Sequence, residues 1–385
     1  MDRESLIQGF RKHFGGKEEN LELFFAPGRI NLIGEHIDYN GGYVFPAALT
    51  IGMYGVVSRR EDYVVRLISS KASNTVEFSI SKDLEYDPKD GWGNYPKGIV
   101  KYLANGGYGL KGCDIYFETT LPDASGLSSS AALEILMAYI MLYPLQGNNV
   151  DRVWLSVMAQ KMENEFVKVN CGIMDQFSVA VGKKDNAMLL DCSTIKYQYV
   201  PFSLEGYSLV IMNTNKKRGL ADSKYNERRS ECDRALELIK AHRDISVLCQ
   251  ATLEDVESCI TDPVIKKRAR HAVAENKRVL KAVEVLKEGN IIEFGKLLNA
   301  SHDSLRDDYE VTGPELDALQ HEALKADGCL GARMTGAGFG GCAIAIVENK
   351  HIKEFIERVG KGYEKAVGIK PSFYISEIGD GVKRI

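Results

Sequence analysis

Three consecutive serines between a small-residue loop and a long apolar segment are the residues whose types and spacing most clearly suggest chemistry. The run reads Ser125-Gly126-Leu127-Ser128-Ser129-Ser130, and the apolar segment extends from Leu133 to Leu142. This order predicts a loop that enters a helix, where the first backbone N–H groups lack partners and the dipole is positive. A polyphosphate can lie against such groups when no large side chain intervenes. Serine is also a common helix cap, so the motif alone leaves a phosphate site and a capped core helix equally open.

A second candidate site is a polar segment near the N-terminus. Within ten residues it holds five side chains that form hydrogen bonds, namely Arg29, Asn31, Glu35, His36 and Asp38. Acceptor carboxylates beside a histidine suit a ligand with many hydroxyls, because such a ligand presents both donors and acceptors. A solvated loop with incidental charges is the alternative interpretation.

Two single acids are further candidates. Asp175 stands in the small and apolar segment Cys171-Gly172-Ile173-Met174-Asp175-Gln176. A carboxylate in such a setting is either a paired structural acid or a catalytic base, and the segment alone does not choose between them. Glu163 lies on a predicted helix twelve residues earlier. A carboxylate and a serine hydroxyl are suitable Mg²⁺ ligands when the metal also holds phosphate oxygens. The spacing of Glu163 alone favours a carboxylate on the surface of a helix instead.

A glycine-rich segment, Gly336–Gly341, contains the pattern G-x-G-x-x-G. The dinucleotide-binding fingerprint requires a strand before these glycines and a helix after them. Here we predict a strand after them, at 342–347, so we exclude that fingerprint. The sequence also lacks the G-x-x-x-x-G-K-[ST] phosphate loop. The segment instead predicts a turn whose backbone approaches phosphates from a second side.

The composition is that of an ordinary globular protein and excludes several classes. The chain has 385 residues, a net charge of −4 and a pI of about 6.1, and no segment is basic enough for a nucleic-acid surface. No apolar run approaches the roughly 20 residues that span a bilayer, and the N-terminus does not resemble a signal peptide. The eight cysteines form no C-x-x-C pair, which argues against structural zinc and disulfides. We therefore expect a cytoplasmic protein with no membrane or nucleic-acid partner.

The elements that must position these residues follow from apolar periodicity and from Gly and Pro. We predict strands, mostly antiparallel, at 22–26, 42–58, 63–69, 113–120, 197–201, 208–213, 342–347 and 372–377. We predict helices at 4–14, 94–104, 129–142, 151–168, 222–241, 264–287, 291–299 and 314–326. The buried helix at 129–142 is expected to end before Pro144, and the helix at 151–168 to place Trp154 and Val157 on its apolar stripe. The length suggests two domains, which we place at 1–200 and 201–385.

Taken together, these motifs resemble those of the GHMP kinase superfamily, and most closely its galactokinase family. The matching segments are the sugar signature Gly28–Asp38, the phosphate-binding motif Pro122–Ala132, the catalytic-acid segment Cys171–Gln176, the tyrosine region Ser223–Arg229 and the C-terminal glycine motif Gly336–Gly341. The resemblance covers nearly the whole chain. Ser125 stands where family members usually carry Gly or Ala. Asp123 replaces a more neutral residue and would add negative charge near the triphosphate path.

The resemblance implies an α+β fold of two domains with the active site in the cleft between them. It implies ATP-dependent phosphorylation of galactose at the anomeric hydroxyl, with Mg²⁺ as cofactor and a monomeric protein. A kinase for a related sugar such as N-acetylgalactosamine, and a non-catalytic sensor of sugar and ATP, are the alternatives. Retention of both Arg29 and Asp175 argues against the sensor.

The resemblance also assigns roles to individual residues. Asp175 would accept the proton of the sugar hydroxyl, and Arg29 would stabilise the charge of Asp175 and of the transferring phosphoryl group. The sugar would be bound by Glu35, His36, Asp38, Gly172 and Tyr225. The nucleotide would be bound by Trp92, Ser125, Gly126, Leu127, Ser128, Ser129, Ser130 and Gly338. Mg²⁺ would be held by Ser130 and Glu163. For Trp92, a place in the core is an equally open interpretation.

Overall fold

The computed structural model describes residues 1–122, 125–216 and 221–385. Its strands are β1 (Leu21–Asn31), β2 (Tyr43–Val44), β3 (Pro46–Arg59), β4 (Val64–Ser69), β5 (Val76–Ser79), β6 (Cys113–Thr119), β7 (Asn186–Asp191), β8 (Lys196–Pro201), β9 (Tyr207–Asn213), β10 (Cys329–Thr335), β11 (Cys342–Glu348), β12 (Ser372–Ile375) and β13 (Lys383–Arg384). Its helices are α1 (Arg3–Phe14), α2 (Asn94–Asn105), α3 (Ser129–Gln146), α4 (Arg152–Met162), α5 (Met174–Val181), α6 (Ala221–Lys240), α7 (Leu253–Cys259), α8 (Pro263–Lys287), α9 (Ile291–Ser304), α10 (Gly313–Leu324) and α11 (Ile352–Val367). The mixture of sheets and separate helices confirms the predicted α+β class.

The first half of the chain is organised around a sheet with strand order β13-β1-β3-β6-β4-β5. All its pairs are antiparallel except β4 with β6, so the mostly antiparallel sheet is confirmed. The register of β1 against β3 shifts between Pro27 and Arg29. Such an irregularity bends a strand and redirects a side chain, and here it occurs at the residue that the sequence marks as catalytic.

The helix α3 packs on this sheet and is apolar on every side, with each residue from Ala131 to Leu142 buried. The prediction that it ends before Pro144 is wrong, since it continues to Gln146. Proline has no N–H to bond the carbonyl four residues earlier. That carbonyl belongs to Ile140, and it accepts instead from Nη1 of Arg59 at 3.0 Å. A side chain from β3 thus satisfies the carbonyl that proline leaves without its helical partner.

The predicted helix at 151–168 is also shorter than expected. Its regular part, α4, ends at Met162, and residues Glu163–Val167 form a wider π turn. The side chains of Trp154 and Val157 are 38% and 40% exposed, so their assignment to the buried stripe is wrong. Trp154 packs against Tyr108 at the surface, with 5.7 Å between ring centroids. The apolar period therefore did not distinguish a buried face from a surface aromatic contact.

The second half is built on the antiparallel sheet β10-β11-β9-β12 with helices α6 and α8–α11. The glycine motif is the turn between β10 and β11, which pair directly. A strand therefore does precede the glycines, which the sequence analysis missed. The dinucleotide fingerprint stays excluded, because the segment that follows is a second strand of the same hairpin and not a helix.

The two halves are in contact through backbone as well as side chains. The C-terminal strand β13 returns to pair with β1. A small third sheet, β2-β7-β8, belongs to the first half. The boundary predicted between residues 200 and 201 stays a prediction. Within the described part of the chain, no helix combines the length and apolar character that crossing a bilayer requires.

Candidate active site

Two adjoining cavities gather most of the predicted site residues. The larger, about 440 Å³, is lined by Arg29, His36, Asp38, Tyr95, Ser130, Glu163, Lys168, Val169, Cys171, Gly172, Met174, Asp175, Tyr225, Asn226, Gly336 and Ala337. The smaller, about 250 Å³, is lined by Arg29, Pro122, Ser125, Gly126, Ser128, Ser129, Ser130, Asp175 and Ala337. Arg29, Ser130, Asp175 and Ala337 line both. A cavity of about 660 Å³ elsewhere contains none of the predicted residues, so volume alone would have pointed to the wrong place.

At the boundary of the two cavities, Arg29 holds Asp175 through a two-pronged ion pair. Nε and Nη2 of Arg29 donate to the two carboxylate oxygens at 2.9 and 3.0 Å. Nη1 donates to the carbonyl of Gly126 at 2.5 Å. Such pairing fixes the plane of the carboxylate. The side chain of Asp175 stays 32% exposed, so its carboxylate is oriented and still reachable from both cavities.

The serine loop leads into a helix as predicted, because α3 begins at Ser129. Ser128 precedes it in the left-handed region, with φ 64°. Its Oγ is buried and has no hydrogen-bond partner among the described residues. The backbone N–H of Arg29 donates to the carbonyl of Leu127, whose side chain is buried in the core. Leu127 therefore anchors the loop, and the serines line the smaller cavity. Asp123 lies outside the described residues.

The glycine turn meets the serine loop at its first glycine. Gly336 has φ +86°, and a Cβ there would stand 2.9 Å from the carbonyl of Gly126. The predicted nucleotide ligand Gly338 lines neither cavity, and a Cβ there would overlap the carbonyl of Val311. Gly338 thus allows packing inside the second half. Ala337, which the sequence analysis did not single out, is the residue of this turn that faces both cavities.

Four predicted sugar residues line the larger cavity, namely His36, Asp38, Gly172 and Tyr225. Gly172 packs so closely that a Cβ there would overlap the carboxylate of Asp38. Burial, together with the nearby charge of Asp175, raises the pKa of Asp38 to about 6. Tyr225 stacks at an angle on His36, with 5.5 Å between ring centroids. These residues form a polar wall beside the Arg29–Asp175 pair.

Glu35 does not belong to this wall. Its side chain is fully buried and lines neither cavity. Oε1 accepts from the backbone N–H of Gly336 at 2.6 Å, and Asn31 donates to Oε2. The buried guanidinium of Arg333 lies 3.6 Å from Oε1, while burial raises the pKa of Glu35. The carboxylate thus fastens the glycine turn, and the geometry offers no support for direct sugar contact.

Glu163 and Ser130, the predicted metal ligands, both line the larger cavity. The Nε2 of Gln176 donates to Oε2 of Glu163 at 2.6 Å and to Oε2 of the fully buried Glu134 at 3.0 Å. Burial raises the pKa of both carboxyls, and Oε1 of Glu134 has no partner. A cation bound nearby would offset the charge of these buried carboxylates. Their oxygens, with the hydroxyl of Ser130, are the kind of ligand that Mg²⁺ binds. The sequence analysis did not identify Glu134 or Gln176 as residues of the site.

Protein side chains alone make an incomplete metal site. Among the residues described, no group of three or more His, Cys, Asp and Glu could hold an ion. Mg²⁺ commonly binds one or two carboxylates and completes its shell with water and substrate phosphates, so this sparse set is consistent with that metal.

Trp92, predicted near the nucleotide, lines neither cavity. Its Nε1 donates to Oδ1 of Asn74 at 3.1 Å, and its ring packs edge-on against that of Phe117.

Comparisons with known proteins agree with the arrangement of the site. A family model described as the galactokinase galactose-binding signature matches residues 8–59. Models of the N-terminal and C-terminal domains of GHMP kinases match residues 94–183 and 282–365. The galactokinase of Clostridium tetani is 51% identical over 388 residues, which cover 100% of this chain and 98% of that protein. The galactokinase of Clostridium beijerinckii is 52% identical over 386 residues, which cover 99% of this chain and 98% of that protein.

Solved structures give the same result. Lactococcus lactis galactokinase complexed with galactose matches with a TM-score of 0.94 at 47% identity, and 99% of each chain is covered. A mevalonate kinase matches with a TM-score of 0.68 at 16% identity, covering 93% of this chain and 99% of its own, which shows the shared fold alone. The fold is therefore that of the GHMP kinases, as predicted. From this identity over its whole length, the chain belongs to the galactokinase family.

Proposed function

We propose that this chain transfers the γ-phosphoryl group of ATP to the anomeric hydroxyl of galactose, giving galactose 1-phosphate and ADP. The observation that carries the proposal is the Arg29–Asp175 pair at the boundary of two cavities of different character. Backbone and serine hydroxyls line the smaller cavity, which suits phosphates. Carboxylate, imidazole and phenol groups line the larger, which suits a ligand rich in hydroxyls.

In this arrangement Asp175 accepts the proton of the sugar hydroxyl as that oxygen attacks the terminal phosphorus. Arg29 keeps the carboxylate in place and stabilises charge on the transferring group. Phosphoryl transfer depends mainly on positioning and electrostatic stabilisation, so a single acid and a single guanidinium at the boundary are sufficient.

The remaining roles follow from the lining of each cavity. Asp38, Gly172, Tyr225 and His36 surround the sugar, and Asp38 supplies a charged acceptor for its hydroxyls. Ser125–Ser130 surround the phosphates. Ser130 and Glu163 would hold Mg²⁺, which when bound neutralises phosphate charge. Trp92 as a wall of the adenine site, a monomeric state and a cytoplasmic location stay predictions.

The function is tested by measuring ADP release with a panel of monosaccharides in the presence of ATP and Mg²⁺. Galactose should be the best substrate. Glucose, which differs only at C4, should lose more than the roughly 10–200-fold that one methylene is worth, because a misplaced hydroxyl leaves buried partners unpaired. Comparable kcat/KM for both sugars would indicate a broader hexose kinase. Preference for N-acetylgalactosamine would support the related-sugar alternative, and binding without turnover would support the sensor.

The metal assignment is tested separately. Ser130→Ala and Glu163→Gln should each raise the Mg²⁺ concentration required for half-maximal activity, since each removes a proposed ligand or its charge. Binding of Mn²⁺ with an ATP analogue, followed by its magnetic resonance signal, gives a readout that does not depend on turnover. An unchanged metal titration in both variants would remove the assignment.

A further inference from the structure

A row of hydrogen bonds, buried at Cys232 and partly buried toward Ala337, runs from the second half of the chain to the boundary of the two cavities. Cys232 Sγ and Tyr309 Oη are 3.0 Å apart, and Tyr309 Oη and Tyr39 Oη are 2.8 Å apart. Tyr39 Oη lies 2.8 Å from Nδ1 of His36, whose Nε2 lies 3.0 Å from the carbonyl oxygen of Ala337. Four elements far apart in sequence thus meet in one continuous row.

The direction of every bond in the row follows from its last member. A carbonyl oxygen only accepts, so Nε2 of His36 carries a proton. Burial lowers the pKa of His36 to about 3, so the ring is neutral and its Nδ1 has no proton. Tyr39 therefore donates to Nδ1, which leaves its oxygen to accept from Tyr309. Tyr309 in turn accepts from Cys232, since burial raises the pKa of that thiol to about 11 and keeps it protonated.

The row is held rigidly at its far end. Tyr309 is fully buried and closes the π turn Leu305–Tyr309, a feature often found at functional sites. Its carbonyl accepts from Nε of Arg228 at 2.7 Å, and its ring lies 4.5 Å from that of His271. At the near end, His36 has φ 61°, an uncommon conformation outside glycine that the surrounding contacts must maintain.

We propose that Tyr39 and Tyr309 are positioning residues: they hold His36 as the Nε2–H tautomer, and His36 in turn holds Ala337 at the boundary where sugar and phosphate meet. Both ring nitrogens of His36 then have partners inside the protein. The single lone pair of Nδ1 is taken by Tyr39, so a sugar hydroxyl that reaches this residue shares the Nε2–H with the carbonyl of Ala337. Cys232 supplies the first donor of the row. The inference rests on the proposed function for its kinetic readout only, because the tautomer is a property of the protein without substrates.

The tautomer is measured by nitrogen NMR of the ring-labelled histidine in the full-length protein, with His36→Gln used to assign its signals. The unsubstituted protein should show a protonated Nε2 and an unprotonated, hydrogen-bonded Nδ1. In Tyr39→Phe the chemical shift of Nδ1 should lose the contribution of its hydrogen bond. The chemical shifts of Nδ1 and Nε2 should also move toward a common average, because both tautomers become populated. A protonated Nδ1 in the unsubstituted protein would overturn the proposal, whether or not galactose is a substrate.

The kinetic arm uses a graded series of variants. Tyr39→Phe should lower kcat about three- to tenfold, the value of one hydrogen bond, because a small misplacement of the turn misaligns the reacting groups. Tyr309→Phe should have a smaller effect, and Cys232→Ala the smallest. Cys232→Ser keeps a donor and should restore the rate of the unsubstituted protein. KM for ATP and for galactose should change less than kcat.

The matched control is Tyr139→Phe, which removes the hydroxyl of a tyrosine that is fully buried, as Tyr309 is, that is bonded to Asn148 and that lines neither cavity. Rates are expressed per folded molecule, so a loss of stability shared by all the variants does not imitate the effect. Equal kcat in Tyr39→Phe, Tyr309→Phe and Tyr139→Phe would overturn the proposal. If no sugar were phosphorylated at all, the proposed function would fail, while the NMR result would still decide the tautomer.

Discussion

Two loops border the same pair of cavities and use their polar groups in opposite ways. In the serine loop, residues 125–130, the buried Oγ of Ser128 has no partner in the part of the chain that the structure describes. In the signature loop, residues 31–40, the polar groups of Glu35, His36 and Tyr39 are bonded to other protein groups. The serine loop thus leaves a polar group free to bond a ligand, whereas the polar groups of the signature loop already form a hydrogen-bond network within the protein.

This difference indicates how each half of the ligand pair is recognised. In the proposed function, phosphates would contact short side chains and backbone at a helix start, which need little support because the geometry is local. The sugar would contact a few side chains whose orientation depends on a buried framework. Substitutions in the serine loop should therefore affect ligand binding more than folding. Those in the signature loop should affect both, except where a side chain such as Asp38 faces the cavity.

The largest effect is expected at the boundary between the loops. Asp175→Asn should fold normally and lower kcat by roughly 10²–10⁴-fold, because an amide does not accept the proton of the sugar hydroxyl. Coupled measurement of ADP release gives the rate, and circular dichroism checks the fold. A variant with nearly normal turnover would show that positioning, and not proton transfer, is what Asp175 contributes.

The next effect separates the two loops by ligand. Asp38→Ala should weaken galactose binding by about 1.5–3 kcal/mol, the value of a hydrogen bond to a charged group, which is about tenfold or more in affinity. Binding of a non-hydrolysable ATP analogue should change little. Calorimetric titration with each ligand measures both. Equal losses for the two ligands would mean that the signature loop acts as a structural unit only.

The third prediction concerns pH and follows from the pKa of Asp38, about 6. The ionised carboxylate is the better acceptor, so KM for galactose should rise as pH falls below 6, by up to about tenfold between pH 7 and pH 5. Asp38→Asn should remove this dependence. Because the ordinary pKa of an aspartate carboxyl is 3.8, the folded state holds this proton more tightly than the unfolded state. Its contribution to the free energy of unfolding should therefore decrease as pH rises from about 4 to 6.

The smallest effect tests the serine loop itself. Ser128→Ala removes a buried hydroxyl with no partner, so the protein without ligand should gain about 1 kcal/mol of stability. The same change should weaken binding of the ATP analogue a few-fold. Ser178→Ala is the matched control, since that buried hydroxyl donates to Met174 at 2.5 Å and its loss should destabilise the protein. Thermal unfolding without the analogue measures the expected gain in stability, and thermal unfolding with the analogue measures the expected loss of binding. A destabilised Ser128→Ala protein would show that the hydroxyl is hydrogen-bonded in the folded state.

Local features of the site could be predicted from the sequence because their physics is local. The start of α3 at Ser129 and the turn at the glycine motif follow from residue types within a few positions. The family resemblance then joined Arg29 to Asp175, which periodicity would not have done. Most of the other helices and strands were likewise found. The sequence analysis missed the helices α5, α7 and α11 and the strands β5, β7, β10 and β13, and it misplaced the ends of α3 and α4.

The tertiary structure decided which polar groups face the cavities and which are buried. Glu35 and Gly336 are 301 residues apart, and only the fold shows that this predicted sugar ligand bonds the glycine turn. Pro144 remains within α3 because Arg59 reaches the carbonyl that proline leaves free. The row from Cys232 to Ala337 likewise depends on four separate elements. The sequence determined which local conformations and chemical groups are present; the fold decided their partners, because a buried polar group must bond whatever packing brings within reach.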